Sequence, residues 1–492
     1  MSSQLFESYT LCILNKYPDP IVAINFNDFS SIDQLNQTWG SKYTSFEQVI
    51  AFRDPTDHPG LFVQWSKFLE DAFTSLCAEG VKTIKQIDTR DSILFTVQTL
   101  GGNYARVVPS THVNVYDIGQ IVNAIQLPTS GGLRSLTHLT QAPAEVAQAS
   151  NIPQGLAEGI LQRHMFRALA NQGNKPVFNG EAYGYQAKGI RNMYWLDLMR
   201  GCNAGYLFSW NKRAWDKLWK QPEGGKKLAE KFPYMMLNNV ANTPQSLAGP
   251  MDFKKELATV NDLVVPRQNR PASRVALLFS YPTERFSQVS GSSAHHLIRQ
   301  YAAALELSHF AIDLLFEEQL ANGDLSKYDA IIAAGTQNTY PQTPSYLTEF
   351  VRGGGTVILG QQIMAQTEYG LDQQWEPVAD LQLRQPTQHA AGALDLTFKQ
   401  SALIPGELKA KLQYAVHASD AWQTLATLHQ QPALLRKTFG DGQVYYLAAH
   451  MPDYALASLL TGVLGQEDLK AQCELSRVDD GCHLQRVVCL AG

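Results

Sequence analysis

The chain has 492 residues, enough for about three domains of ordinary size. Its 45% hydrophobic and 17% charged content can fill large cores, which excludes a disordered chain. A net charge of −5 without a long basic run excludes the electrostatic footprint of a nucleic-acid binder.

In chain order, the opening run MSSQLFESYTLCILNKYPDP has no basic segment followed by an apolar core, so no signal peptide is expected. No apolar run reaches the roughly 18 residues of a membrane span, and a cytoplasmic protein is expected. Residues 21–27 read as a strand that ends at Asn27-Asp28. Residues 61–85 carry Leu61, Trp65, Phe68, Leu69 and Leu76 at helical spacing. Short apolar runs follow at 93–98 and 121–127, the second stopped by Pro128. A helix over 154–172 leads into PVFNGE (176–181), then a helix over 187–200 and a strand over 203–210. Short apolar runs alternating with helices imply parallel strands joined by crossovers. The expectation for residues 1–264 is therefore a partial (β/α) barrel, with chemistry at the C-terminal ends of its strands.

The polar segment VPRQNRPAS (265–273) reads as a linker. A strand (274–280), a helix near 292–308, FAIDLLF, a strand ending at Gly335, and a helix–glycine–strand run over 345–360 form a flavodoxin-like pattern for 265–385. The Gly353-Gly354-Gly355 run follows a helix and precedes a strand, the reverse of a phosphate loop, so it reads as a helix stop. Residues 386–465 read as a small β domain, with Gly440-Asp441-Gly442 as a hairpin turn. Residues 466–492 are either a tail or a further β element. The six cysteines form no CxxC pair, which argues against a zinc site. Free thiols are expected, although Cys473, Cys482 and Cys489 are close enough in sequence to leave a disulfide open.

Glu181 stands where an apolar run ends, at the catalytic rim of a barrel strand. Around it in sequence are Asn179, Tyr183 and Tyr185, then Trp210 with Asn211, Arg213 and Trp215 on the next strand. Amides and arginine bind hydroxyls, indoles cover the apolar face of a sugar ring, and a carboxylate can attack an oxocarbenium-like centre. Gln98 and Gln126 end earlier strands and could each bind a hydroxyl or serve packing. Arg191 could pair with Glu181 across the following helix. His112 and His164 have no partners at ligand spacing, and His295-His296 reads as an exposed pair opening a helix. No metal and no cofactor is expected.

The run SSIDQLNQTWGSKYTSFEQV (30–49) resembles the LN-x-x-WG-x-x-y/w-S segment of family-42 β-galactosidases, in the large (β/α)₈ glycosidase clan. PVFNGE resembles the strand carrying their nucleophilic Glu, and RNMYWLDLMRGCNAGYLFSWNKRAWD resembles their eighth strand, where a Trp lines the sugar subsite. The segments at 272–286, 324–341 and 346–360 look like that family's second domain, which mediates trimer formation, and 434–450 looks like the small β domain after it. The resemblance covers roughly residues 30 to 465. It implies a retaining glycoside hydrolase acting on a β-linked saccharide, a homotrimer, Glu181 as nucleophile, and Trp210, Asn179, Tyr183, Arg213 and Gln126 as substrate-binding residues.

The family places its acid/base after an Asn, at the end of the fourth strand. The only such pair here is Asn27-Asp28, one methylene shorter and unusually close to the LN-x-x-WG segment; a plain turn Asp is the other reading of Asp28. Five candidate strands stand where a barrel needs eight, so the chain reads as a member lacking the N-terminal part of its barrel, with impaired or absent turnover. The alternative is a non-catalytic carbohydrate-binding or assembly protein derived from a glycosidase. An amidotransferase-like enzyme on residues 274–360 is set aside, because no Cys occurs between 203 and 472.

Overall fold

The structure is a computed structural model that describes residues 29–49, 56, 58–89, 113–127, 151–152, 154–171, 173–182, 187–199, 201–207, 247–264, 273–290, 294–384, 391–397, 407–467, 469, 473–475 and 487–489. The expected strands at 21–27 and 93–98, with Asp28, Gln98 and His112, lie outside these residues.

Local geometry explains the LN-x-x-WG spacing. Helix α1 (Ile32–Trp39) opens on Ser31, whose hydroxyl accepts from the Gln34 amide, and closes on Gly40 at φ 67°. Asn36 Oδ1 accepts from Ser41 Oγ at 2.9 Å and from the Tyr43 amide at 2.8 Å, while Asn36 Nδ2 donates to the Tyr43 carbonyl at 2.7 Å. Leu35 and Trp39 form the buried face. A methyl group at Gly40 would come 2.7 Å from Leu371 Cδ2, so conformation and packing both require glycine there. Helix α2 (Pro59–Ile87) buries its first half in a cluster with Phe286 and Tyr369. The motif therefore ties the N-terminal segment to the later α/β part of the chain.

The barrel segment is a parallel three-stranded sheet. Helix α3 (Val115–Ile121) leads to β1 (Ile125–Leu127), α4 (Gln154–Asn171) to β2 (Val177–Ala182), and α5 (Ala187–Met199) to β3 (Ala204–Leu207). The strand order is β1-β2-β3, parallel throughout. The strand expected over 121–127 is shorter than its apolar run. Asn114 caps α3 by accepting from the Tyr116 and Asp117 amides at 3.0 and 3.2 Å, and the helix takes Ile121. Helix α6 (Ala248–Val264) packs on α5.

Strands β4 (Val275–Phe279), β5 (Ile312–Phe316), β6 (Ala330–Ala334) and β7 (Thr356–Gly360) are parallel, in the flavodoxin-like order β5-β4-β6-β7. Every residue of β4, β6 and β7 is buried, as expected of a sheet covered on both faces. Residues 281–290, where no element was expected, form helix α7 (Tyr281–Ser290) ahead of α8 (Ala294–Leu307). Helix α9 (Thr343–Arg352) stops at the glycine run, with Gly354 at φ 99° and the Gly355 amide donating to the Phe350 carbonyl.

The sheet continues across the expected boundary at 385/386. Strands β8 (Asp395–Leu396), β9 (Gln423–Leu428), β10 (Gln431–Phe439) and β11 (Gly442–Leu447) extend it to the order β8-β9-β10-β11-β7-β6-β4-β5. The β10–β11 hairpin turns at Gly440, as expected, and β11 pairs in parallel with β7. The reason lies in β11 itself: Val444, Tyr445, Tyr446 and Leu447 are all buried, so both faces need cover. Residues 453–465, expected as part of a small β domain, form helix α10 (Asp453–Gln466). Besides the stripe of Leu456, Leu459, Leu460, Val463 and Leu464, its Ala455, Ala457, Ser458 and Gly462 are buried too, so the helix is covered almost all round and the polar face that would mark a surface helix is narrow. In the tail, Cys473–Leu475 pairs antiparallel with Val487–Cys489, and Cys473 stands opposite Cys489.

Candidate functional site

Glu181 is the penultimate residue of β2, the central strand of the barrel segment. Asn179 is the last β2 residue paired in register on both sides, with Leu127 on β1 and Gly205 on β3. The next β2–β3 pair is Ala182 with Leu207, so three steps on β2 match two on β3. One extra residue is thus accommodated at Gly180-Glu181, a bulge of the kind that redirects a side chain at a strand end.

Beneath this bulge lies a buried polar network. Asp197 on α5 accepts from Arg163 Nε of α4 at 2.7 Å through Oδ1, and from Asn179 Nδ2 at 2.7 Å through Oδ2. Arg163 also donates Nη1 to the Gly159 carbonyl at 2.8 Å. Arg163, Asn179 and Asp197 are all buried. Asn179, expected to bind substrate, has no accessible surface (0%) and donates its amide nitrogen to Asp197. Tyr194 fills the space over Gly205, where a methyl group would come 2.5 Å from its ring, and burial with the nearby Asp197 pushes its phenol up to about 12.

Arg191 forms an ion pair with α6. Its Nε lies 2.7 and 2.8 Å from the two carboxylate oxygens of Glu256 on α6, which also accepts from Trp195 Nε1 at 2.8 Å. These bonds hold Glu256 below the usual carboxylate range. Gln126 on β1 is half-buried and lines a cavity of about 20 Å³ with Ile125, Phe166 and Leu169, room for a single water. Tyr183, Trp210 and Arg213 lie outside the described residues, and for Glu181 the structure describes the backbone. Arg163 and Asp197 were missed in the sequence. Asp197 could have been noticed, because it shares the stripe of Ile190 and Met193, where an unpaired carboxylate would be costly.

A second concentration of charge joins the barrel segment to the α/β part. Arg285 on α7 meets Glu70 on α2, and His295 Nε2 lies 2.9 Å from Glu158 Oε2 on α4, with Glu284 Oε1 3.8 Å from its other nitrogen. His295, expected to be exposed, is thus largely buried (14% side-chain exposure) between two carboxylates. Burial opposes its charge, yet the hydrogen bond and charge of Glu158 with the charge of Glu284 raise its pKa on balance. His164 is a buried structural residue, with Nε2 2.9 Å from Glu306. Among the described residues, no three His, Cys, Asp or Glu side chains converge as a metal site, and no helix is long and apolar enough to cross a membrane.

With this geometry in hand, comparison with solved structures decides the architecture. The chain has the fold of the family-42 β-galactosidases. It superposes on the β-galactosidase from Bacillus circulans sp. alkalophilus with a TM-score of 0.69 at 14% identity, covering 93% of this chain and 67% of that one. The cold-adapted β-galactosidase from Rahnella sp. R3 gives 0.69 at 17% identity, covering 92% and 66%. The β-galactosidase Gan42B of G. stearothermophilus gives 0.66 at 14% identity, covering 91% and 65%. The chain thus spans about two thirds of the length of the enzymes it matches. No family model and no curated protein matches it by sequence. The fold is α/β, a parallel barrel segment followed by a flavodoxin-like sheet, and these solved structures of the same fold are β-galactosidases.

Proposed function

We propose that the chain is a retaining glycoside hydrolase of the β-galactosidase type, with Glu181 as nucleophile. One observation carries the reading: Glu181 stands at a bulge at the C-terminal end of the central parallel strand, in a chain with the family-42 fold. That strand end is where (β/α) barrels present catalytic groups. Glu181 attacks the anomeric carbon, the aglycone leaves, and water then cleaves the glycosyl ester. Asp28 is the candidate acid/base, which in a retaining enzyme stands about 5 to 5.5 Å from the nucleophile. Trp210 and Tyr183 supply flat apolar faces, and Arg213 and Gln126 bind hydroxyls. Asn179, being buried, supports the strand. The family resemblance further suggests a cytoplasmic homotrimer.

The test uses a 2-deoxy-2-fluoro-β-galactoside with a dinitrophenolate leaving group, which departs without acid catalysis. Attack forms the C1–Oε bond as the C1–O bond to dinitrophenolate breaks, and the glycosyl ester persists. Mass spectrometry is expected to find the label on Glu181, and its absence there overturns the assignment. A second reading, a carbohydrate-binding or assembly protein without turnover, is favoured by Asp28 standing where the family pattern has Glu. It requires sugar binding with neither labelling nor hydrolysis.

A further inference from the structure

We infer that Asp197 and Asn179 are positioning residues for the nucleophile, holding β2 in the register that presents Glu181; this rests on the reading of Glu181 given above. The argument starts from connectivity. Asp197 reaches both the helix before β2 and the strand itself, through Arg163 on one oxygen and Asn179 on the other. Its own helix, α5, follows β2. The strand is therefore clamped to its preceding and following helices at Asn179.

That residue is the one directly before the bulge. Asn179 is the last position paired on both sides, and beyond it the β2–β3 register slips by one residue at Gly180-Glu181. A one-residue shift in a strand turns each side chain to the opposite face, so a bulge next to a nucleophile must be pinned. Gly180 gives no side-chain anchor, and β3 offers only Gly205 opposite Asn179. The side-chain anchor at this point is the Asn179–Asp197 bond, in a fully buried setting where an unmade hydrogen bond is costly. Arg163 holds Asp197 in place and balances its charge, so Asp197 can accept from Asn179 without shifting.

On this reading the network acts on Glu181 and not on the sugar. Its loss should slow attack by Glu181 while leaving sugar binding nearly unchanged, because a misplacement of about 1 Å costs on the order of 10² in rate. The full chain and the variants Asn179→Ala, Asp197→Asn and Asp197→Glu are titrated with the dinitrophenyl 2-fluoro-β-galactoside, and the inactivation rate constant at saturation is separated from the half-saturation concentration. The expected result is a fall of at least about tenfold in the rate constant for Asn179→Ala and Asp197→Asn, with half-saturation within about twofold, and partial recovery in Asp197→Glu. Asn179→Ala keeps the Arg163–Asp197 pair, so it remains informative if Asp197→Asn fails to fold. Circular dichroism and a cooperative melt above the assay temperature establish folding. A labelled wild type with unchanged rate constants in the folded variants removes this inference alone. A wild type that takes no label at Glu181 removes the underlying reading, and this inference with it.

Discussion

Arg285 and Glu70 meet in a two-pronged contact, Nε to Oε1 at 2.8 Å and Nη2 to Oε2 at 2.6 Å, with 3% and 1% of their side chains exposed. The pair joins α2, in the N-terminal segment, to α7 on the α/β sheet. Glu70→Gln keeps the shape and removes the charge, leaving a buried guanidinium without its counter-ion. Destabilisation of about 3–5 kcal/mol is expected by urea unfolding. The double variant Glu70→Met, Arg285→Met should recover most of that loss, since an apolar pair of similar volume replaces a desolvated ion pair. A single variant within about 0.5 kcal/mol of wild type would show that the pair does not hold the two parts together.

The same region sets the pH dependence of stability. Burial pushes Glu317 up to about 8, Glu318 and Glu284 to about 7, and Asp117 to about 6. Each holds its proton more tightly folded than unfolded, so its contribution is complete below the unfolded carboxylate range and is lost as pH rises through the folded value. His295, also raised, acts in the same direction. The melting temperature is therefore expected to fall steadily between pH 5.5 and pH 8.5. Glu317→Gln, which retains the shape but cannot ionise, should flatten that slope. A melting temperature that rises over this range would contradict the buried, protonated state of these acids.

The long apolar elements were legible because burial on both faces leaves an unmistakable mark: β4, β6 and β7 read directly as strands. The glycine stop after α9 and the turn at Gly440 were legible for a local reason, backbone conformations that only small residues adopt readily. Helix α7 was not, because Tyr281-Pro282-Thr283 looks like a loop until Tyr281 and Phe286 are seen buried against distant residues. The burial of Asn179 was not legible for a similar reason. Sequence places an amide near Glu181, but the direction of its side chain depends on Asp197, eighteen residues later. Short-range spacing predicts which residues share a strand, while long-range pairing decides which of them are free to meet a ligand.

Gly442 opens β11 against the glycine stop of α9. A methyl group there would lie 2.2 Å from the carbonyl oxygens of both Gly355 and Val351, and neither backbone can yield without disturbing β7. Gly442→Ala is expected to cost at least about 2 kcal/mol by overpacking. Gly354→Ala is the matched comparison: nothing lies within 4 Å of its added carbon, and φ 99° alone should cost about 1–2 kcal/mol. Chemical denaturation of both variants orders them. If Gly354→Ala proved the more damaging, backbone conformation rather than close approach would govern this junction.

The assignment of Glu181 as nucleophile, rather than as acid/base, has a stereochemical consequence. Glu181→Gly should lower hydrolysis of an aryl β-galactoside on the order of 10⁴-fold or more, because no covalent intermediate can form. Azide fits the space left by the carboxylate and attacks the anomeric carbon from the same face. The aryloxide leaves from the opposite face, so the recovered product should be α-galactosyl azide, the inverted anomer. In Asp28→Gly the nucleophile remains, the glycosyl ester forms, and azide displaces it to give the β-anomer. The configuration of each azide, read by nuclear magnetic resonance, therefore separates the two roles. A β-azide from Glu181→Gly would move Glu181 to the acid/base position, and with it the proposed function of the Asn179–Asp197 clamp from aiming an attack to aiming a proton.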